Sequence, residues 1–502
     1  MKKIIFYLLI IRKSKYYILS FFPKKIRFLF CSQSWFAYQL GLHQTIIKQS
    51  SLCFFNQAKS IVFLSKIKRF IVSEEEVEIF LNEILAKKRY KLKYKKVVLN
   101  EIVQYYPNLV FRLLIKYDRL LLNSYLLGLK YSIMARGLKL NFNLIEEFKC
   151  NEYKLEYANR NFIKSNIEVR DAEKKLYLLN EVLMAYNLET VNLKDNNYAN
   201  SSFCVNNFFS KKDNFVLRKE NQQDYPKVTV LVTAFNAEET IYNCLNSLIN
   251  QTWKNIEIIV INDASTDNTL DKIELLCIEN KRLKLINLPC NVGTFAAKNI
   301  GIKYATGEYV TCQDADDWAH PQKIEEQVLP LIEDPKLIAT TSLWLRIDKY
   351  GNYYARQYYP YLRHNPASPL FRREQVQKNI GLWHCVRTGA DSEFFERLKL
   401  VFGDSKVLAV KKPLTFASHR DNSLMTSEKF GAYNKLSSLD RLDYWEAWRL
   451  WHIDLLEQKQ SIYMPDIELQ IDNNFNMFYV PSTIVVSPDK IKKCLKEHQV
   501  LF

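Results

Sequence analysis

The sequence predicts an α/β fold: a mostly parallel, ligand-binding sheet flanked by helices, preceded by a mainly helical N-terminal region. Two observations carry this. From Pro226 onward, β-branched apolar runs alternate with helix-like segments through short connections, the pattern of a parallel sheet covered by helices. Polar residues also gather just past the strand ends, where open α/β sheets bind their ligands.

The alternation starts with "KVTVLVTAF" (227–235), a continuous apolar run expected of a strand buried on both faces. The helix pattern "EETIYNCLNSLINQT" follows, then the strand "IEIIVINDAS" and the helix "TDNTLDKIELLCIEN". Next come the strand "LKLINLP", the helix "FAAKNIGIKYA" and the strand "EYVTCQDAD". Beyond Pro321 the alternation loosens into a helix at "ERLKLVFG", a strand at "KVLAVKKPLTFASH" and a periodic helix at "LDRLDYWEAWRLWHIDLLEQ". The Trp445, Trp448 and Trp451 stripe on the last is expected to be a core or docking face. The tail "IVVSPDKIKKCLKEH" is expected to be peripheral.

Upstream, "SEEEVEIFLNEILAKKRYKL" has Ser73 as a candidate N-cap with acids in the first turn. "DAEKKLYLLNEVLMAYNLE" shows helix spacing, and the Asn-rich stretch after Leu193 predicts a linker or surface loop. These shifts divide the chain into a basic, aromatic segment (1–73), a helical region with linker (74–222), the α/β domain (223–430) and a C-terminal helix with tail (431–502). Within the α/β domain, 226–320 forms the first half and 321–430 the second.

The 502 residues carry 71 Lys and Arg against 54 Asp and Glu, a net charge of +17. Such a balance speaks of partners rather than fold. No acid precedes Glu74, whereas Lys2, Lys3, Arg12, Lys13, Lys15, Lys24, Lys25 and Arg27 interleave with aromatic residues there. The run Ile4–Ile11 is too short to span a bilayer. Basic residues also stand where a signal-peptide cleavage site would be. The segment therefore reads as lying on an anionic membrane surface, or as a packed helical pair with a wet basic side. No nucleic-acid recognition motif accompanies the charge, so nucleic acid is not an expected partner. The ten cysteines form no CxxC pair. That excludes a disulfide framework or zinc site and suits the cytoplasm, at the inner face of the cell membrane.

Chemistry concentrates in Thr233 and Asn236, in Asn262 and Asp263, and in "QDADDWAHP" (313–321). Ser265 and Asp267 are candidate helix caps, which leaves Asp263 as the ligand-facing acid of its loop. Crowded carboxylates need a cation or donors to offset their repulsion, and oxygen ligands of this kind suit Mg²⁺ or Mn²⁺. Asp317 is expected to start the next helix, and Trp318 to pack in the core or against a bound ligand.

"VTVLVTAFNAEETIYNCLNSLINQTWKNIEIIVINDASTDNT" and "NVGTFAAKNIGIKYATGEYVTCQDADD" together resemble the donor-binding half of a family 2 glycosyltransferase of the GT-A fold, over Val228 to Trp318. The resemblance implies an inverting transferase, a nucleotide-sugar donor (typically a UDP-sugar), a divalent metal, and a glycan or lipid-linked glycan acceptor in bacterial-type surface-polysaccharide synthesis. Carried over by position, Thr233 and Phe235 line the base and ribose pocket and Asp263 reads the base. Phe235 stands where Tyr is usual. Lys298 supplies a cation where Arg is commoner, without bidentate geometry. Asp314 and Asp316 match the DxD pair, the first facing the ribose and metal water shell, the second ligating the metal. In "TGADSEFFERL" the usual Glu-Asp is Ala390-Asp391; Asp391 becomes the candidate base and Glu393 the second choice. His419 is a candidate metal or diphosphate ligand. His364 and His384 are weaker candidates. A sugar-phosphate nucleotidyltransferase would carry a Gly-rich loop after the first strand, which "TAFNAEET" lacks. A non-catalytic basic scaffold would not need the intact acids.

Overall fold

In a computed structural model of the chain, the described residues are 37–48, 56–87, 90–137, 142–168, 170–194, 201–210, 225–421, 423, 426, 431, 435–472 and 477–501. The basic residues Lys2 to Arg27, the run Ile4–Ile11 and much of the Asn-rich stretch lie outside them. Among the described residues, no helix is long and apolar enough to cross a membrane.

Two short strands, β1 (Asn192–Leu193) and β2 (Phe208–Phe209), pair antiparallel on their own. Among the described residues, all other strands join one 11-stranded sheet. Its parallel heart is β3 (Val228–Ala234), β4 (Ile256–Asn262), β5 (Leu283–Asn287) and β6 (Tyr309–Asp314), in the order β5-β4-β3-β6. Every residue of β4 and all but Thr233 of β3 are buried. Both faces are covered, which is why these strands read as unbroken apolar runs. One face packs Leu231, Ile259 and Ile261 under helix 294–301; the other packs Val230, Val232 and Ile258 under helices 241–249 and 269–279. Gly301 permits the close approach: a Cβ there would lie 2.7 Å from Ile261.

The second half extends the sheet through β7 (Trp318–Ala319), β8 (Ala339–Asp348), β9 (Tyr353–Tyr354), β10 (Arg363–His364), β11 (Leu370–Arg372) and β12 (Val407–His419). β8 and β12 run parallel, and the short β7 pairs antiparallel with β12, setting Trp318 opposite Phe416. Trp318 is core: it is 2% exposed and stacks on Phe416. Asp317 does not start a helix. The next helix begins at Lys323, because β7 intervenes. Asp317 instead closes a turn on Asp314 and accepts the Ser418 N–H at 3.3 Å.

The C-terminal tail is part of the sheet, not peripheral. β13 (Gln499–Leu501) pairs antiparallel with β5 and becomes the edge strand, with helix 488–497 leading into it. A three-residue strand carries too little periodicity to announce itself.

Helix Glu74–Ala86 starts as expected, with a capping box between Ser73 and Glu76. Helix Ala172–Ala185 is capped by Asp171. The N-terminal helices do not stand apart from the sheet domain. They grip residues 349–364: Arg136 donates to the Ala355 carbonyl (2.7 Å), Asn166 exchanges two hydrogen bonds with Tyr353, and Asn159 accepts the Tyr361 N–H. The Gly128 backbone meets the Tyr359 ring where a Cβ would lie 2.5 Å away. Trp448, fully buried, anchors helix 435–457 in the same apolar cluster, as its stripe predicted.

Candidate active site

Strand register assembles the site. Thr233 pairs with Asp314 across β3 and β6, and Ala234 with Asn262 across β3 and β4. Thr233, Phe235, Asp263 and Asp314 therefore converge on the carboxyl edge of the sheet. They line a cavity of about 450 Å³ together with Lys298, Asp316 and Asp391, within the usual size for a ligand site.

Phe235 is 48% exposed, an aromatic face turned to the cavity. Its loop is laced to the next one: Asn236 N–H donates to Ser265 Oγ, Asn236 Oδ1 accepts the Thr266 N–H, and Glu238 N–H donates to Asp267 Oδ2. Asp267 also holds the Thr269 N–H in the first helical turn, whereas Ser265 bridges loops instead of capping. Asn236 and Ala264, each next to a cavity-lining residue, both take positive φ, a region Asn adopts readily and Ala does not. Thr233 Oγ1 lies 2.7 Å from Thr294 Oγ1.

Asp263 is buried. Its Oδ1 accepts the Val292 N–H (2.7 Å), and Oδ2 accepts the Gly293 N–H (2.7 Å) and Asn291 Nδ2 (3.0 Å). Burial raises its pKa to about 6, against the two backbone bonds and the nearby charges of Arg387 and Lys490. Three bonds on a carboxylate with about four acceptor sites leave room for one ligand donor. Gly293 makes this loop possible with φ 79 and ψ 159, a region essentially restricted to glycine.

Lys298 is buried, its Nζ 3.6 Å from Asp314 Oδ1. Burial works against the ammonium, but Cys312, Asp314 and Asp391 outweigh it and its pKa is raised. Asp316 Oδ2 accepts from Arg420 Nε at 3.0 Å. Burial pushes the Asp316 pKa up, opposed by Arg420; burial and its two acidic neighbours push Asp317 well up.

Asp391 and Glu393 part company. Both lie in the first turn of helix 390–402, but positions two apart point to different faces. Asp391 lines the cavity. Glu393 is fully buried behind it, bonded to Arg397 (2.7 and 2.8 Å) and His452 (3.0 Å). Despite burial, Arg397 and His452 pull its pKa down to about 2. It forms a buried ion pair and is not among the cavity-lining residues.

His419 is likewise not among the cavity residues. Its ring stacks on Tyr354 at 3.7 Å, and burial lowers its pKa to about 4. Neighbouring side chains of an extended segment point to opposite sides, so the residue that reaches Asp316 is Arg420. His384 packs against Tyr444 and Phe478, and His364 against Phe395.

Four cavity-lining cations escaped the sequence: Arg346, Arg387, Arg420 and Arg441. Arg387 donates to Asn291 Oδ1 and to the Asn291 carbonyl, and Arg346 stacks on Trp344 at 4.1 Å. Burial lowers the Arg441 pKa to about 10, with Asp391 opposing. A cation directly after the "SH" that ends β12 was the one local signal available.

Among the described residues, no three His, Cys, Asp or Glu side chains gather closely enough to hold a metal alone. Asp314 and Asp316 still fit a divalent cation that keeps waters and takes substrate phosphate for its other ligands. An arriving cation would share Asp316 with Arg420 or displace it.

Residues 229–390 match the model of Glycosyl transferase family 2. A glycosyltransferase of Haemophilus influenzae without an assigned activity is 42% identical over 120 residues, 24% of this chain and 37% of that one. The hyaluronan synthase of Pasteurella multocida is 31% identical over 308 residues, 55% of this chain and 31% of that one. The chain thus spans about a third of the length of these relatives. Among solved structures, S. aureus TarS 1–349 in complex with UDP-GlcNAc is 20% identical over 39% of this chain and 60% of that one, with a TM-score of 0.33, a superposition too partial to speak for site or substrate. The sheet, its carboxyl-edge acids and the family match agree: residues 229–390 are similar to glycosyltransferase family 2.

Proposed function

We propose that the protein is a metal-assisted, inverting glycosyltransferase that moves a sugar from a UDP-sugar to a hydroxyl of a glycan or lipid-linked glycan in polysaccharide synthesis. The observation that carries this is one cavity lined by Thr233, Phe235, Asp263, Lys298, Asp314, Asp316 and Asp391. In this reading Phe235 stacks on the base and Asp263 offers its remaining acceptor capacity to a base N–H. Asp314 faces the ribose. Lys298, Arg387 and Arg420 bring positive charge to the diphosphate side.

A bound Mn²⁺ or Mg²⁺, held by Asp316 with Asp314 nearby, would neutralise charge on the leaving diphosphate. Asp391 is the general base. A neutral hydroxyl is a weak nucleophile, so Asp391 takes its proton as the oxygen bonds to the anomeric carbon and the bond to the diphosphate oxygen breaks. Attack opposite the leaving group inverts the configuration. The basic, aromatic segment 1–73 is read as lying on an anionic membrane surface, on the strength of its composition.

Calorimetric titration with UDP, GDP, dTDP and CMP, with and without Mn²⁺, tests the reading. One nucleotide should bind with metal dependence, and Asp316→Ala should abolish that dependence. Equal, salt-sensitive binding of all four would reduce the site to bulk electrostatics.

A further inference from the structure

Among the described residues, two cysteines far apart in sequence, Cys290 and Cys494, are brought into contact by the fold. Cys290 Sγ lies 3.2 Å from Cys494 Sγ. Cys494 Sγ also donates to the Cys290 carbonyl at 3.2 Å, and Cys290 Sγ to the Lys490 carbonyl at 3.4 Å. Both are free thiols, Cys494 buried and Cys290 half-buried. The separation exceeds an S–S bond of about 2.05 Å by little more than an ångström, so small side-chain rotations close it.

The position of the pair gives it consequence. Cys290 directly precedes Asn291, Val292 and Gly293, whose donors hold Asp263. Cys494 sits on helix 488–497, which leads into β13 on the edge of the sheet. The two sulfurs join the C-terminal helix to the loop that shapes the cavity wall.

We propose that Cys290 and Cys494 are a redox clasp: a reversible disulfide between them pins the C-terminal helix to the 290–293 loop and tightens nucleotide binding. The oxidant is a low-molecular-weight disulfide such as glutathione disulfide. The more accessible Cys290, as thiolate, attacks one sulfur of the reagent and expels one glutathione thiolate. Cys494 then loses its proton to solvent and attacks Cys290 Sγ, expelling the second glutathione. Two protein thiols are oxidised and one disulfide is reduced. Burial and the neighbouring Cys290 raise the Cys494 pKa to about 12, so its thiolate is scarce and the second step is the slow one.

The cross-link stands without the transferase reading; its effect on nucleotide affinity rests on it. The folded 502-residue chain is incubated with glutathione disulfide and digested without reduction. The expected product is a single linked peptide pair holding Cys290 and Cys494, reversed by dithiothreitol and absent in Cys290→Ser and in Cys494→Ser. Glutathione left on Cys290 with no link, or links scattered over other cysteines, overturns the clasp. Affinity for UDP with Mn²⁺ is then compared between oxidised and reduced wild type. A tightening of about threefold or more on oxidation is expected. Equal affinities with the link formed overturn the coupling. Absence of UDP binding in both forms overturns the transferase reading and leaves the link standing.

Discussion

Asp391 and Glu393 are two residues apart and do unrelated work. Asp391 lines the cavity with Lys298 and Arg441; Glu393 is sealed behind it with Arg397 and His452. Asp391→Asn should keep UDP affinity and melting temperature while transfer falls by a hundredfold or more, as expected for loss of a general base; surviving transfer would move the base elsewhere. Glu393→Gln should do the reverse, costing about 3–5 kcal/mol by leaving Arg397 buried without its counter-ion, with activity per folded molecule retained. The pH sign follows from the lowered pKa. The unfolded carboxyl binds a proton more readily than the folded one, so the stabilisation is complete above the ordinary Glu value. It is lost as pH falls toward about 2. A chemical-denaturation series against pH should show that acid limb in the wild type and a flatter one in the Gln variant.

At the scale of elements, the site is a product of strand register and two loops. The 290–293 loop holds Asp263 through backbone donors that depend on the Gly293 conformation. Gly293→Ala would put a Cβ 3.3 Å from the Arg387 side chain in a backbone region that L residues avoid. UDP affinity should fall about tenfold, in line with strain of about 1–3 kcal/mol; calorimetry showing unchanged affinity would detach this loop from the nucleotide. Much of this half was legible in the sequence, because a buried parallel strand writes itself as an apolar run and its polar exit marks the edge. Thr233, Asp263 and Asp314 could be placed together for that reason. Arg346, on β8, and Arg387, in a loop, could not, since nothing local separates a cavity arginine from the other basic residues beyond Pro321. His419 illustrates the limit: the strand was foreseeable, but which of two adjacent side chains turned inward was not.

At the scale of the whole molecule, the helical region and the sheet domain share one apolar cluster, running from Ala37 through the helices to Trp448 and Cys494. The helices hold residues 349–364 through Arg136, Asn159, Asn166 and Lys175. A chain starting at residue 223 should therefore be insoluble or melt about 10 °C or more below the 502-residue chain, at about 2–4 °C per kcal/mol lost. A soluble, cooperatively folding fragment with full nucleotide affinity would show that the contacts are dispensable. The apolar faces of those helices were readable from their spacing. Their partner was not, because it lies far away in the chain.

The edge strand β13 has a consequence in time. A ribosome adding 5–20 residues per second needs roughly 10–40 s to cover the 204 positions between Cys290 and Cys494. For that interval β5 has been made, yet the strand that will cover its outer edge has not. Every nascent chain passes through a stage with an open, pairing-competent sheet edge. Crowded synthesis, with several ribosomes on one message, is when this protein is most exposed to joining its neighbours instead of itself.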